Sequence, residues 1–238
     1  MCGRYELHAH PAALALAFGL RYPPEIGPRY NIAPTQLVPI IRINGAGERE
    51  LAQVRWGLVP FWAKDASIGS KLINARAETV SAKPGFRDAY RSARCLIPAS
   101  GFYEWAKMTD GTKQPVRIAM KDDGAFAFAG LWAKWGGKSE PPLLTCTIVT
   151  TEANELCQKV HDRMPAILAP ENYARWLDVA DRDPADLLRA YPSALMQAYP
   201  ISTRVNSPKN DDESIISPMS IAWGAASTRP QLSDRVTS

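Results

Sequence analysis

Proline is the feature that most constrains this chain. The 238 residues hold 20 prolines against 15 glycines, and they recur between short β-prone runs, which leaves little room for long helices and demands frequent turns and extended segments. Strands are expected at residues 38–43, 51–56, 94–97, 102–106, 116–120, 126–132, 143–150, 166–168 and 198–205. The first two are joined by Asn44-Gly45-Ala46-Gly47, a hairpin signal. Residues 21–35 carry too many prolines for regular structure and are expected to form an ordered irregular loop. Helices should be few and short. One is bracketed by Pro11 in its first turn and Gly19 after Phe18; others are expected at 86–93, 153–160, 171–177 and 184–191, the last opening on Asp183-Pro184. Strand and helix never alternate regularly enough for a parallel βαβ array. The expected fold class is α+β, a mainly antiparallel, barrel-like β-sheet with short flanking helices.

The length suits one domain, expected over residues 1–224, with the polar stretch 225–238 as a mobile tail. With 46% hydrophobic and 22% charged residues the composition is that of a folded chain. No run approaches the ~18 to 20 apolar residues that span a bilayer, so no membrane partner is expected, and residues 12–20 read as a core helix followed by a proline-rich turn. The cysteines Cys2, Cys95, Cys146 and Cys157 form no CxxC pair, which makes a reducing cytoplasm the natural compartment. The net charge of +4 is too small to name a partner, but its location is informative. From Lys71 to Arg94 stand Lys71, Arg76, Lys83, Arg87, Arg91 and Arg94 against Glu78 and Asp88, so this stretch alone carries an excess equal to that of the whole chain.

Cys2 is the most informative single residue. Removal of Met1 would leave an α-amine and a thiol on one residue. Their ordinary pKa values, near ~7.7 to 8.0 and ~8.5, make both nucleophiles close to neutral pH without special tuning. Such a 1,2-aminothiol condenses with an aldehyde, the amine forming a Schiff base and the thiol closing a thiazolidine on the imine carbon. The bland reading is a frayed terminus whose second residue happens to be cysteine.

Other candidates are weaker alone. His161, in Val160-His161-Asp162-Arg163-Met164-Pro165, suits a general acid and base on a loop, or equally a surface histidine among charges. The three histidines show no zinc-ligand spacing, so no metal is expected. Glu104 lies in Gly101-Phe102-Tyr103-Glu104-Trp105. Strand alternation puts it on the face of Phe102 and Ala106, opposite Tyr103 and Trp105, where desolvation would favour its neutral form; the alternative is a solvent-facing strand residue. Asn74 can cap a helix beginning at Ala75, or use its amide on a sugar hydroxyl or the nucleophile while Arg76 meets a phosphate. Trp56 reads as core, whereas Trp62, ahead of the polar residues 64–70, can stack on a base or wedge a duplex end.

Taken in order, Met1-Cys2-Gly3-Arg4-Tyr5, Arg29-Tyr30-Asn31-Ile32-Ala33-Pro34, Trp56-Gly57, Pro60-Phe61-Trp62, Ile73-Asn74-Ala75-Arg76-Ala77-Glu78-Thr79, Cys95 to Pro98 with Gly101 to Trp105, and His161-Asp162-Arg163 with Pro165 resemble the SRAP family (SOS response-associated peptidases) over residues 1–206. The resemblance implies a single SRAP-type domain that binds single-stranded DNA and single-strand/duplex junctions and traps the ring-opened aldehyde of an abasic site as a thiazolidine. By matching position it implies Cys2 as the crosslinking nucleophile and Asn74 as the group that orients it and the opened sugar. Glu104 would move the proton that opens the ring, and His161 would assist Schiff-base formation and slow reversal. It further implies phosphate contacts at Arg4, Arg76 and Arg163, an aromatic near the junction at Trp62, removal of the residue before Cys2 as the peptidase activity, a possible lyase activity, action at damaged DNA of the nucleoid, and no cofactor. Ala63 departs from relatives with a second tryptophan after Trp62, and Met164 is a further departure. A monomer is the simplest expectation when each lesion needs one nucleophile.

Two other classes compete. Glutamine amidotransferases also begin Met-Cys-Gly, with the α-amine as base for the thiol, but they continue into an apolar, glycine-rich strand where this chain has Arg4 and Tyr5. A non-covalent single-strand DNA binder would need only the arginines and aromatics.

Overall fold

The computed structural model describes residues 2–136 and 141–220, so the tail expected at 225–238 lies outside the described residues. Among these, the chain runs through β1 (Tyr5–Leu7), α1 (Pro11–Phe18), β2 (Arg29–Ile32), β3 (Leu37–Ile43), β4 (Arg49–Trp56), β5 (Asn74–Arg76), α2 (Arg87–Ser92), β6 (Arg94–Ala99), β7 (Gly101–Lys107), β8 (Lys113–Met120), β9 (Phe126–Trp135), β10 (Leu143–Glu152), β11 (Arg163–Pro165), β12 (Ile167–Leu168), α3 (Tyr173–Leu177) and β13 (Met196–Pro200). No described helix is long and apolar enough to cross a membrane.

The architecture is α+β, built on a closed barrel. Strands β10, β4, β3, β6 and β9 pair in that order, and β9 pairs back onto β10. Every pairing in the ring is antiparallel except β10 with β4. Closure removes the ring's free edges. It also explains the unbroken burial of β6, whose two faces are both covered. A second sheet, ordered β13-β8-β7-β1-β2, packs across the barrel, with the Tyr5 ring set edge-on to Trp56 and Phe128.

β10 is the strand that positions the site. Its first half pairs with β9, but from Ile148 on it takes β5 as a parallel neighbour and then, from Thr150, β11 as an antiparallel one. The β3–β4 hairpin forms as its turn chemistry requires, Asn44 Oδ1 accepting from the N–H groups of Ala46 and Glu48 and Gly47 adopting a positive φ of 81°. Gly57 and Gly69 meet backbone to backbone. A Cβ on Gly57, at φ 128°, would lie 2.6 Å from the Gly69 carbonyl oxygen, and one on Gly69 would lie 2.5 Å from that of Gly57. This contact ties the loop carrying Phe61 and Trp62 to the short 3-10 turn Ala66–Lys71.

Several local expectations are corrected. The proline-rich segment 21–35 is not wholly irregular, because β2 pairs with β1 and the Asp211 carboxylate accepts the backbone N–H groups of Tyr30 and Asn31 along its outer edge. Residues 153–160 do not form an α-helix. Ala153 N–H donates to the Asp162 carbonyl, which extends the β10 pairing, and Asn154 Oδ1 captures the Cys157 N–H, leaving only the 3-10 turn Cys157–Lys159. Residues 184–191 hold only the turn Ala185–Leu187, since Thr151 and Asn154 side chains take the carbonyls of Leu188 and Tyr191. In 171–177 the first residues belong to a 3-10 turn and α3 begins at Tyr173. The strand expected at 198–205 ends at Pro200 and gives way to the turn Thr203–Asn206, capped by Ser202.

Candidate functional site

Cys2 lies three residues before the start of β1 and is completely buried, which rules out a frayed terminus at this residue. Its Sγ lies 3.8 Å from the Arg4 carbonyl oxygen. Its own carbonyl accepts a 2.9 Å hydrogen bond from Asn74 Nδ2. Asn74 is therefore not a helix cap but the first residue of β5. The free edge of β10 draws 74–76 into a strand, the Trp56 indole N–H anchors the Ile73 carbonyl at 2.9 Å, and alternation puts Ala75 inward while Asn74 and Arg76 share the opposite face. Asn74 Oδ1 is buried and accepts no hydrogen bond among the described residues.

Glu104, on β7, is 6% exposed. Its neighbours obey the expected alternation, Phe102 and Ala106 joining the main core and Tyr103 a separate cluster with Ile201, Val205 and Ile215. Burial raises the Glu104 carboxyl above the usual carboxylate range, with the positive pole of His161 working against that rise. The same carboxyl is close enough to act on two thiols. Burial first, then the Glu104 charge, pushes Cys2 far above an ordinary thiol and Cys157 up to about 12. This corrects the expectation of an untuned Cys2 thiol: at neutral pH it is held protonated in the form described.

His161 follows the Cys157–Lys159 turn, its N–H donating to the Cys157 carbonyl at 2.9 Å. Its Nδ1 lies 2.9 Å from the Arg163 backbone nitrogen and 2.8 Å from Asp162 Oδ1. An Nδ1 that accepts from the backbone puts the proton of the neutral ring on Nε2. Met164, the departure beside it, is fully buried, and its sulfur accepts the Asn154 N–H at 3.4 Å, so it packs beneath the histidine loop.

The arginines divide into three kinds. Arg4 Nη1 donates to Asn31 Oδ1 at 2.7 Å and to the Val205 carbonyl at 2.6 Å, contacts that orient the guanidinium without an ion pair among the described residues. The Arg76 side chain is exposed and makes no ion pair or hydrogen bond among the described residues, although its charge is near enough to help hold the Glu78 carboxyl down. Arg163 is committed to a two-point ion pair with Glu78. Trp62 is 48% exposed, its indole N–H donating to the Pro84 carbonyl at 3.3 Å, and Phe61 beside it is 69% exposed. Ala63 supplies a carbonyl to the Trp135 indole at 2.8 Å, so the exposed aromatic pair is residues 61 and 62. No group of three or more metal-ligating side chains occurs among the described residues.

Four of the sequence candidates, Cys2, Asn74, Glu104 and His161, thus gather where β1, β5 and β7 meet the histidine loop. Three participants have no individual assignment in the sequence analysis. Asn31 fixes Arg4 and, through Nδ2, also reaches the carbonyls of Val205, Ser207 and Asn210. Glu78 reads there only as an offsetting charge. Cys157 reads there only as a reduced cysteine, although its place four residues before His161 was available as a signal.

A family model described as SOS response associated peptidase (SRAP) matches residues 1–208. Among curated proteins, abasic site processing protein YoqW of Bacillus subtilis is 47% identical, covering 91% of this chain and 99% of its own length. Abasic site processing protein HMCES of Gallus gallus is 32% identical, covering 93% of this chain and 79% of its own length. Among solved structures, a protein from Bacteroides thetaiotaomicron superposes with a TM-score of 0.79 at 28% identity, over 92% of this chain and 100% of that one.

Proposed function

The chain belongs to the SOS response-associated peptidase (SRAP) family, and from that membership we propose that it processes abasic sites in single-stranded DNA by linking them covalently to Cys2. The observation that carries this reading is the placing of a second-residue cysteine, fully buried, against Asn74 and beside the Glu104 carboxyl.

Hydrolysis of the Met1–Cys2 peptide bond would free the α-amine. The closed sugar of an abasic site must first open, which needs a proton delivered to the ring oxygen and one removed from the C1′ hydroxyl. A carboxyl whose neutral form is favoured by burial is suited to give the first and, once ionised, to take the second. The α-amine then adds to the aldehyde carbon, and loss of water gives the Schiff base. His161 can protonate the departing hydroxyl and return a proton during reversal. The thiol adds to the imine carbon, its proton passing to nitrogen, and a five-membered thiazolidine results. One water leaves overall, and no oxidant, metal or cofactor enters the balance. A protonated thiol favours this order, with the amine attacking first. Asn74 holds the Cys2 carbonyl and retains Oδ1 as an acceptor for a hydroxyl of the opened sugar.

Arg4 and Arg76, which make no ion pair among the described residues, would meet phosphates, and Trp62 with Phe61 would stack at a junction. One nucleophile per lesion suits a monomer.

The test is incubation of the protein, with Met1 verifiably removed, with a single-stranded oligonucleotide carrying an abasic site, followed by denaturation. A heat-resistant protein–DNA band is expected, and Cys2→Ala should abolish it. Absence of the band from the wild type would overturn the proposal.

A further inference from the structure

The segment downstream of β13, residues 201–216, takes no part in the chemistry proposed above, yet it reaches the edge of the site. The Val205 carbonyl accepts Arg4 Nη1 at 2.6 Å and Asn31 Nδ2 at 3.2 Å, and Arg4 Nη1 also donates to Asn31 Oδ1, so the three groups close a triangle. Asn31 is fully buried in β2. Its Nδ2 donates further to the carbonyls of Ser207 at 3.0 Å and Asn210 at 2.6 Å, which fixes Oδ1 as the end that faces Arg4. Asp211 holds the same strand by its backbone. Its Oδ1 accepts the N–H groups of Tyr30 and Asn31, and its Oδ2 pairs with Arg29 Nε at 2.6 Å. The Arg4 guanidinium lies 6.0 Å from the centre of the Trp105 ring, whose indole N–H donates to Asn206 Oδ1 of this segment at 2.7 Å.

The groups that aim Arg4 are neutral. A carboxylate in place of Asn31 would hold the guanidinium but cancel its charge, whereas a guanidinium left to solvent would be spread over many rotamers. An amide, a carbonyl and a ring face instead fix its direction while the full charge stays available to a phosphate. Asp211 is engaged by backbone N–H groups and by Arg29, not by Arg4.

We infer that Asn31 and Asp211 are positioning residues: together they latch residues 201–216 onto β2 and so aim Arg4 at the phosphates of a bound strand. The inference rests on the proposed DNA-processing function and extends its binding site to a segment downstream of β13. The expected sign is the reverse of simple electrostatics. Removing an acidic side chain ordinarily strengthens a grip on nucleic acid, but removing Asp211 should weaken it.

The experiment measures affinity for a labelled, undamaged oligothymidine by anisotropy from about 50 to about 200 mM salt, where counterion release sets the slope of log K against log salt. Asp211→Ala should bind more weakly than the wild type, with a slope shallower by up to about 0.7, the increment for one phosphate contact on a single strand. Asp211→Asn removes the same charge and releases Arg29 equally, but it keeps an oxygen for the Tyr30 and Asn31 N–H groups. It should therefore bind at least as tightly as the wild type, with a slope no shallower. Arg4→Gln should reproduce the shallow slope. Adding Asp211→Ala to it should bring no further loss of affinity, an outcome that general damage to the fold would not give. Equal slopes for the alanine and asparagine variants, a slope unchanged by Arg4→Gln, or a further loss in the double variant would overturn the inference, while a heat-resistant abasic-site band from the wild type would leave the proposed function standing. A wild type that binds neither intact nor abasic strands would overturn both.

Discussion

Tyr103 and Glu104 are adjacent on β7, yet their side chains enter two regions with opposite uses of a buried carboxylate. On the Tyr103 side lies Glu6, fully buried. It accepts hydrogen bonds from the Tyr103 hydroxyl and, at 2.7 Å, from Arg117 Nε, while Arg117 Nη1 donates to the Tyr199 hydroxyl at 2.7 Å. Burial works against the Arg117 charge, but Glu6 and Tyr199 more than restore it. The backbone is shaped for this pair: a Cβ on Gly101 would lie 2.5 Å from Glu6 Oε1. On the other side, Glu104 faces two thiols and a histidine, and burial raises its carboxyl instead of being offset by a guanidinium. Burial is thus common to both carboxylates and does not distinguish them. What separates them is the balance: a buried guanidinium stands directly against Glu6, whereas at Glu104 the opposing charge of His161 does not overcome burial.

The largest effect should follow from breaking the balanced side. Glu6→Ala leaves the Arg117 guanidinium, 3% exposed, with only the exposed Asp123 carboxylate at 3.3 Å as counter-ion, and should lower unfolding stability by about 3 kcal/mol in a urea titration. Tyr103→Phe removes a hydroxyl that lies in hydrogen-bond reach of both the buried Glu6 charge and the Tyr30 carbonyl, and should cost about 1.5 to 3 kcal/mol by the same measurement. The folded Tyr103→Phe protein should still trap abasic DNA at close to the wild-type rate. A fall in trapping as deep as that from a change at Glu104 would show that the two faces of β7 are not chemically separate.

The same contrast explains what was readable from the residues. The apolar runs of β3, β6, β9 and β10 were legible because barrel closure buries them almost continuously, and those of β7 and β8 because the second sheet packs across the barrel; burial is what a hydrophobic run records. β2 and β5 were not, because each is made a strand by a partner elsewhere: β1 and Asp211 for one, the free edge of β10 for the other. Asn74 consequently reads as a helix cap when its local sequence is taken alone. Alternation placed Glu104 on the correct face of β7. The gathering of Cys2, Asn74, Glu104 and His161 was legible only through the order of whole motifs, since no spacing joins positions 2, 74, 104 and 161. The Arg163–Glu78 pair, spanning 85 residues, leaves no local trace. The acidity of the Cys2 thiol was misread from its ordinary value because burial is a tertiary property.

Glu104→Gln sharpens the comparison with the smallest change in stability and the only one of opposite sign. A carboxyl whose folded pKa is raised favours folding in its neutral form. The wild type is therefore most stable below the ordinary glutamate range, near ~4.3, and loses stability as pH rises through the raised folded value. Glutamine keeps the shape and has nothing to ionise. The melting temperature of Glu104→Gln should accordingly equal or exceed that of the wild type, with a lead that grows across that interval and is constant above it. Trapping should slow by about 100-fold or more, as removal of a general acid and base requires. A variant that is both more stable and slower is the signature of a group retained for chemistry against its folding cost. A lead that shrinks with rising pH would mean that Glu104 is as well compensated as Glu6, and an unchanged trapping rate would remove it from the proton path.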